Sequence, residues 1–375
     1  MRWIYERAEW PAFRWDPEEI MTPLAHARYQ QGLLMGQMNQ LGIVSRQDAY
    51  LQILEQDAIH SARIEGEILQ ADEVRSSLVQ KLGVHQGGYV KASRDVEGMV
   101  EMLLDATRLS HISLSKVRLV AWQAGLFPTG YSGIHPITIG DWRQEGKGPM
   151  QVVSGAWRKE VVHFQAPSAA IVEKKMDTFL SWYNQPPAID LILRAAITHF
   201  WFVTIHPFDD GNGRIARAIG EMTHARSDQS VMRFYSMSGQ IEKNRNDYYH
   251  ILKQQQKSNL DITAWLLWFL DCLSQSFQHA ERTLEKIIHR ARFWEFAHKM
   301  NLNPRQKTIL TRMLGNFEGH MNTGKYARMA KVSKDTALRD IKDLLYKQIL
   351  KENSSKGRST SYRLATAEEI TSTNL

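Results

Sequence analysis

The stretch from His206 to Arg217, His-Pro-Phe-Asp-Asp-Gly-Asn-Gly-Arg-Ile-Ala-Arg, gathers a titratable base, carboxylates, two glycines around an amide, and two arginines. That mixture suits a phosphate site better than a core helix. Gly211 and Gly213 let the backbone come close to a ligand, so that successive N–H groups can form a concave anion nest. The residues from Arg214 onward read as a helix start, which would set a positive dipole end beneath the same ligand. Arg214 and Arg217, three apart, share a helix face, and both guanidinium forks can reach one polyphosphate. Asp210 stands at the mouth of the nest, where a carboxylate can hold Mg²⁺ against phosphate oxygens. His206, just upstream, is of the type and at the place a general base requires.

Every fixed position of His-x-Phe-x-(Asp/Glu)-Gly-Asn-Gly-Arg-x-x-Arg is matched here, so the stretch resembles the signature of the Fic family. The resemblance implies an enzyme that moves AMP from ATP, with Mg²⁺, to a Ser, Thr or Tyr hydroxyl of a target protein. Carried over by residue, His206 is the base and Asp210 the metal ligand. Gly211, Asn212 and Gly213 cradle the phosphates, Arg214 holds the outer ones, and Phe208 anchors the loop in the core. In the related Doc toxins a lysine replaces the second glycine and the γ-phosphate is donated; Gly213 favours AMP transfer.

Upstream, Ser61-Ala-Arg-Ile-Glu65-Gly66 ends an amphipathic helix. The four-residue step puts Ser61 and Glu65 on one face, and Gly66 is a natural terminator. The segment resembles the inhibitory pattern (Ser/Thr)-x-x-x-Glu-(Gly/Asn) of Fic proteins. That implies that Glu65 pairs with Arg217 and takes the arginine needed by the γ-phosphate, placing the chain in the class inhibited in cis from its N-terminal side. A short strand-like stretch, Val152-Val153 and then Trp157 to Phe164, reads as a β-hairpin closed by Pro167. It resembles the flap on which Fic proteins pair an extended segment of the target, with Trp157, Val161 and Val162 as contact residues. Asn246-Asp-Tyr-Tyr249 resembles the region walling the adenine, where Tyr248 or Tyr249 would stack on the base. The family's later asparagine is not evident; Gln254 to Gln256 stand there.

The elements that must position these residues are mostly helical. Apolar residues recur at three- and four-residue spacing in 47–64, 68–82, 95–109, 169–183, 190–203, 213–224, 246–256, 261–277 and 281–299. Pro186-Pro187 and the Gly-rich 125–148 stretch read as loops. The expected fold is all-α: a Fic-type helical core with a small β-hairpin flap, an N-terminal helical extension and a C-terminal winged helix-turn-helix. The corresponding segments are 1–40 (extension, with Trp3, Tyr5, Trp10 and Trp15 packing on the core), 41–85 (inhibitory helix), 86–299 (core), 300–366 (winged helix) and 367–375 (tail).

The winged-helix reading rests on helices at Pro304 to Leu314 and Thr323 to Ala330, a turn at Val332-Ser333, and a candidate recognition helix from Asp335 to Tyr346. Lys351 to Leu364 would be the wing. Residues 302–364 hold fourteen Lys and Arg against five Asp and Glu, whereas the rest of the chain has 33 and 35, so the net charge of +7 comes from this segment. Such asymmetry suits a phosphate backbone, and DNA is an expected partner through 302–364; protein contact is the competing use.

At 375 residues and 43% apolar content the chain can bury a sizeable core. One cysteine, Cys272, permits no internal disulfide. No run reaches the ~20 apolar residues of a membrane span and no signal core begins the chain, so a cytoplasmic protein without membrane partners is expected. A homodimer is the default expectation for symmetry reasons. Two other functions compete with the autoinhibited adenylyltransferase: removal of AMP from modified proteins, with Glu65 positioning a water, and a nucleotide-sensing regulator that binds DNA.

Overall fold

A computed structural model describes residues 3–39, 41–84, 90–146, 148–154, 161–315, 317, 319–353, 360–366 and 369. The chain divides into two compact units, Met1–Glu281 and Arg282–Leu375. Helices dominate, and the strands among the described residues form three separate two-stranded antiparallel ladders.

The first unit runs through α1 (Pro17–Asn39), α2 (Ile43–Ile64), α3 (Ala71–Leu82), α4 (Arg94–Arg108) and α5 (Lys116–Leu126). A small ladder of β1 (Tyr131–Ser132) and β2 (His135–Pro136) follows, then a hairpin of β3 (Gln151–Ser154) and β4 (Val161–Gln165). After these come α6 (Val172–Asn184), α7 (Leu191–Ile205), α8 (Asn212–Asp228), α9 (Met237–Lys243), α10 (Arg245–Gln255) and α11 (Thr263–His298), within which the division between units falls.

The core is built around α7, in which every residue from Ile192 to Ile205 is buried. A helix buried all round must have neighbours on every side, and its buried polar groups find partners, as Arg194 does on the Trp182 carbonyl at 2.6 Å. Each fully buried Phe or Ile there, such as Phe200, Phe202 and Ile197, contributes roughly 1.5–3 kcal/mol. Asp190 caps the helix, its Oδ1 accepting from the Ile192 N–H at 2.8 Å, and is itself held by Arg28 of α1 at 2.9 Å. On another side, the Trp265 indole of α11 donates to the Ala196 carbonyl at 2.8 Å. Helix α4 crosses α5 at Gly98 and Gly125, so closely that a Cβ on Gly98 would run into the Gly125 carbonyl.

The N-terminal segment packs on this core as expected. The Ile4 N–H donates to the Gln256 carbonyl at 2.8 Å and the Arg14 N–H to that of Leu260 at 2.9 Å. Trp10 and Phe13 stand edge-on to Trp201. Among the described residues no helix is long and apolar enough to cross a membrane.

The N-terminal extension is helical as expected, α1 having only a narrow buried stripe (Ile20, Ala27, Gln31, Leu34, Met38) and Pro23 inside it. Two elements depart from the sequence expectation. The two helices expected at 261–277 and 281–299 are one, since no Gly or Pro interrupts them. The Gly-rich stretch read as loop contains β1 and β2, too short for any periodicity to register.

The second unit contains α12 (Pro304–Leu314), α13 (Thr323–Ala330) and α14 (Lys334–Tyr346), then the antiparallel pair β5 (Leu350–Glu352) and β6 (Tyr362–Leu364). Asn303 and Gln306 form a capping box at the start of α12. Buried Asp340 of α14 ties the unit together by accepting from Asn303 (3.0 Å), Arg305 (3.1 Å) and Tyr326 (3.2 Å). Ile309, Leu310, Ile341, Leu344, Ile349 and Leu350 fill its core.

Candidate active site

The signature stretch forms the loop between α7 and α8 together with the first turns of α8. His206 ends α7 with φ 54° and ψ 60°, a left-handed conformation that costs a non-glycine residue roughly 1–2 kcal/mol. The loop is held there by contacts from elsewhere in the chain. Arg143 donates to the His206 carbonyl at 2.7 Å (Nε) and to the Pro207 carbonyl at 2.9 Å (backbone N–H). Asp209 accepts from the Thr138 N–H at 2.8 Å. Phe208 is fully buried against Trp142 and Phe202, in the anchoring place expected of it.

Asn212 contributes its side chain to the loop itself. Its Oδ1 accepts from the Phe208 N–H (3.0 Å) and its Nδ2 donates to the Phe208 carbonyl (2.8 Å). What it can offer a ligand is therefore its backbone N–H at the start of α8. Gly211 precedes it with φ +88°, where a Cβ would also come within 3.0 Å of Phe127. No other residue fits that position without strain.

The His206 ring bonds through Nδ1 to the Val203 carbonyl at 3.3 Å. A carbonyl only accepts, so Nδ1 carries the proton and Nε2 keeps its lone pair. Burial pushes the His206 pKa down to about 4, against the hydrogen bond to Val203, which favours the protonated ring. Near neutrality the imidazole is a neutral base. Asp210, half-buried, accepts from the Gly211 N–H at 2.6 Å and from the Ser132 hydroxyl of β1.

Both arginines of the motif are engaged by carboxylates that follow one another at the end of α2. Arg217 is buried, its Nε donating to Ser61 Oγ, and its Nη2 to the Ser61 carbonyl and to Glu65 Oε1, each at 2.8 Å. The Glu65 carboxylate lies directly over Gly213, where it would collide with any Cβ. It therefore fills the concavity that the glycine leaves. Burial lowers the Arg217 pKa and nearby Glu65 more than offsets it, so the guanidinium stays charged. Arg214, also buried, donates to Glu67 Oε2 at 2.5 Å and lies over the Phe127 ring at 4.9 Å.

Gly66 makes this possible. At φ +88° it closes α2, with the Gly66 N–H on the Arg63 carbonyl and the Glu67 N–H on the Ala62 carbonyl, both at 3.0 Å. This is a Schellman termination, and it turns Glu65 and Glu67 toward the same site. Farther up α2, Asp57 and His60 bond Ser236 and Glu242, fixing the helix against α9.

A cavity of about 610 Å³ opens beside these groups, lined by Glu65, His206 and Gly213 on one side and Val152, Val153, Tyr249, Lys253 and Gln256 on the other. Tyr249 reaches across to the end of α2, its hydroxyl bonding the Ile64 carbonyl at 3.2 Å and Glu65 Oε2 at 3.4 Å. Tyr248 lies deeper and is buried, bonded to His199 at 2.8 Å and packed on Trp265 and Trp268. Both tyrosines line the cavity, Tyr249 partly exposed and Tyr248 nearly fully buried. β3 and β4 pair with the register Val153↔Val162 and a bulge at Val152/Val153; Val153 and Val162 are exposed. Trp157 lies outside the described residues, and Val161 is described only by its backbone. A larger cavity of about 820 Å³, between the N-terminal segment and α6–α7, contains no residue of the motif.

Sequence reasoning missed Arg143, Asp209, Ser132, Phe127 and Glu67. Glu67 carried a legible signal as a second carboxylate two residues beyond Glu65, and Asp209 stood at a variable position inside the signature itself. Arg143, Ser132 and Phe127 lack any motif of their own.

Residues 113–223 match a family model described as "Fic/DOC family", and residues 3–84 match a "Domain of unknown function (DUF4172)". The chain is 28% identical over 137 residues to the protein adenylyltransferase Fic of Nematostella vectensis, covering 36% of this chain and 28% of that protein. It is 24% identical over 236 residues to that of Drosophila yakuba, covering 62% and 42%. The chain thus spans well under half the length of these relatives. A crystal structure of a Fic family protein from Desulfovibrio desulfuricans G20 has the same fold, with a TM-score of 0.56 at 18% identity over 95% of this chain and 98% of that one.

Proposed function

Because the chain is a Fic family protein, we propose that it is an adenylyltransferase held inactive by the end of its own α2, moving AMP from ATP to a Ser, Thr or Tyr hydroxyl of a target protein. The observation that carries this reading is the Glu65 carboxylate seated on Arg217 and over Gly213, beside a neutral His206. A phosphate nest whose concavity already holds a carboxylate is a built anion site with a competitor in it.

In the reaction, Nε2 of His206 takes the proton of the acceptor hydroxyl, and that oxygen attacks the α-phosphorus of ATP. The bond to the bridging oxygen breaks and pyrophosphate leaves, so one P–O bond forms as another is lost. Positioning and charge neutralisation supply most of such catalysis. The N–H groups at the start of α8 would cradle the phosphates, and Arg214 and Arg217 would hold the outer ones. Asp210 would hold Mg²⁺ together with phosphate oxygens; the ion would neutralise charge on the leaving group. Val153 and Val162 on the hairpin, and Trp157, are proposed to receive the target as an added strand.

Transfer of label from α-labelled ATP to protein, lost in His206→Ala, tests the assignment. Labelling equal to the parent would refute it. Release of AMP from a premodified protein, dependent on Glu65, would replace transfer by removal.

The second unit supports a further reading, docking on duplex DNA. Two of the acidic residues of α14 are spent internally, Asp340 being buried and Asp343 bonding Gln306 and Lys347, while Asp335 stays exposed at its start. The outer face of α14 presents Lys334, Arg339 and Lys342 to solvent. Binding of the full chain to a mixed-sequence duplex should fall steeply with salt through counterion release, and weaken in Arg339→Glu with Lys342→Glu. Absence of any binding would leave protein contact as the role of this face.

A further inference from the structure

Glu67 stands outside the inhibitory pattern, yet its contact is as specific as that of Glu65. Its carboxylate meets Arg214 Nη1 at 2.5 Å. Arg214 cannot swing away: its side chain is 4% exposed and lies flat over Phe127. Its Nε is buried without a hydrogen-bond partner, so the guanidinium retains a donor that no protein acceptor takes up. The Schellman turn at Gly66 presents the two carboxylates to the two arginines separately.

We propose that Glu67 is a second, phosphate-specific lock, occupying Arg214 as Glu65 occupies Arg217. The inference rests on the nucleotide-site reading above and deepens it. Arg214 precedes Arg217 by one helical turn, nearer the nest formed by Gly211 to Gly213. The two locks therefore withhold different donors from the outer phosphates, with Glu67 guarding the β-phosphate's arginine and Glu65 the γ-phosphate's. Glu65, Glu67 and Asp210 together crowd the mouth with like charge. Burial, followed by repulsion from Asp210 and Glu65, raises the Glu67 pKa despite the offsetting pull of Arg214. A carboxylate so placed is more readily displaced than a relaxed ion pair. Releasing Glu65 alone leaves Arg214 engaged, so the site opens only in part.

The test compares the full chain with Glu67→Gln, Glu65→Gly and the double variant, by calorimetric titration with ATP, ADP and adenosine. Glu67 is 43% exposed on its side chain, and glutamine keeps its shape; thermal melts check folding. Glu67→Gln should raise affinity for ADP and ATP by roughly 5- to 10-fold, as expected for removing a half-exposed opposing charge, and leave adenosine unchanged. Glu65→Gly should improve ATP more than ADP, and the double variant should combine both gains. ADP binding that is unaltered by Glu67→Gln in either background would overturn the second lock while leaving the nucleotide site intact. Failure of every variant to bind any nucleotide would overturn both. Tighter ADP binding without transfer would uphold the lock and remove only the proposed reaction.

Discussion

Replacing Glu65 by glycine in the full chain removes the carboxylate from a pair in which Arg217 is 2% exposed and Glu65 28%. A buried pair losing one member changes energy by ~3–5 kcal/mol, and an exposed pair by ~0.2–1 kcal/mol. This mixed environment lies between them, at about 2–3 kcal/mol. Ser61 still holds Arg217 through its hydroxyl and carbonyl, so the guanidinium stays in place and becomes available to phosphate. At about 1.4 kcal/mol per factor of ten, transfer should rise by roughly 30- to 150-fold in kcat/KM. The parent should keep measurable residual activity, because an equilibrium of 1:99 reversed to 99:1 would need about 5.5 kcal/mol. The assay is the initial rate of AMP incorporation from α-labelled ATP into protein, with Arg217→Ala added in a second variant. The gain should vanish there. A rate for Glu65→Gly within threefold of the parent would refute the competition between carboxylate and phosphate, whatever the role of the motif.

His206→Ala should reduce transfer by roughly 10²- to 10⁴-fold while ATP affinity, measured by titration, stays near that of the parent. With its pKa held at about 4 by burial, His206 is already deprotonated near pH 6. The rate of the Glu65→Gly variant should therefore stay flat from about pH 8 to 5 and fall only toward 4; a decline centred on an ordinary histidine value of about 6.5 would contradict the buried neutral base. His199 and His224 are pushed to about 3, again by burial. For all three the folded pKa lies below the unfolded one, so the unfolded chain binds more protons. Their contribution is present above about pH 6.5 and is lost as the pH falls through the values below it, which thermal melts across that range should register. Gly211→Ala should lower the melting temperature, since φ +88° costs a Cβ residue roughly 1–2 kcal/mol and Phe127 lies in the way. Asn212→Ala should cost about 1–3 kcal/mol for each Phe208 backbone group left unpaired.

The run from His206 to Arg217 could be read without a structure because its chemistry is contiguous: loop, glycines, helix start and arginines follow one another along the chain. The same holds for Ser61 to Gly66, where one helical turn and a terminating glycine set the spacing. Long helices such as α4, α7 and α8 announced themselves through apolar residues at three- and four-residue spacing, whereas the bounds of α1 did not, because a narrow buried stripe leaves little pattern. Within the second unit, α12 to α14 and the flanking strands fell close to their expected places, since each begins or ends at a strong capping or turn residue.

Tertiary structure alone decided which groups meet. Arg143 holds the loop after α7 from 63 residues away, and Ser132 reaches Asp210 across 78. Neither belongs to a pattern, because a hydrogen bond made through space leaves no periodic trace in sequence. Tyr248 and Tyr249 are adjacent in the chain, yet one is buried against Trp265 and the other faces the cavity and the lock, since successive helix positions point about 100° apart. Glu67 is the sharpest case. Its residue type and position were plain in the sequence, but its partner Arg214 lies 147 residues on, and the left-handed turn at Gly66 that aims it there is a property of the folded helix end.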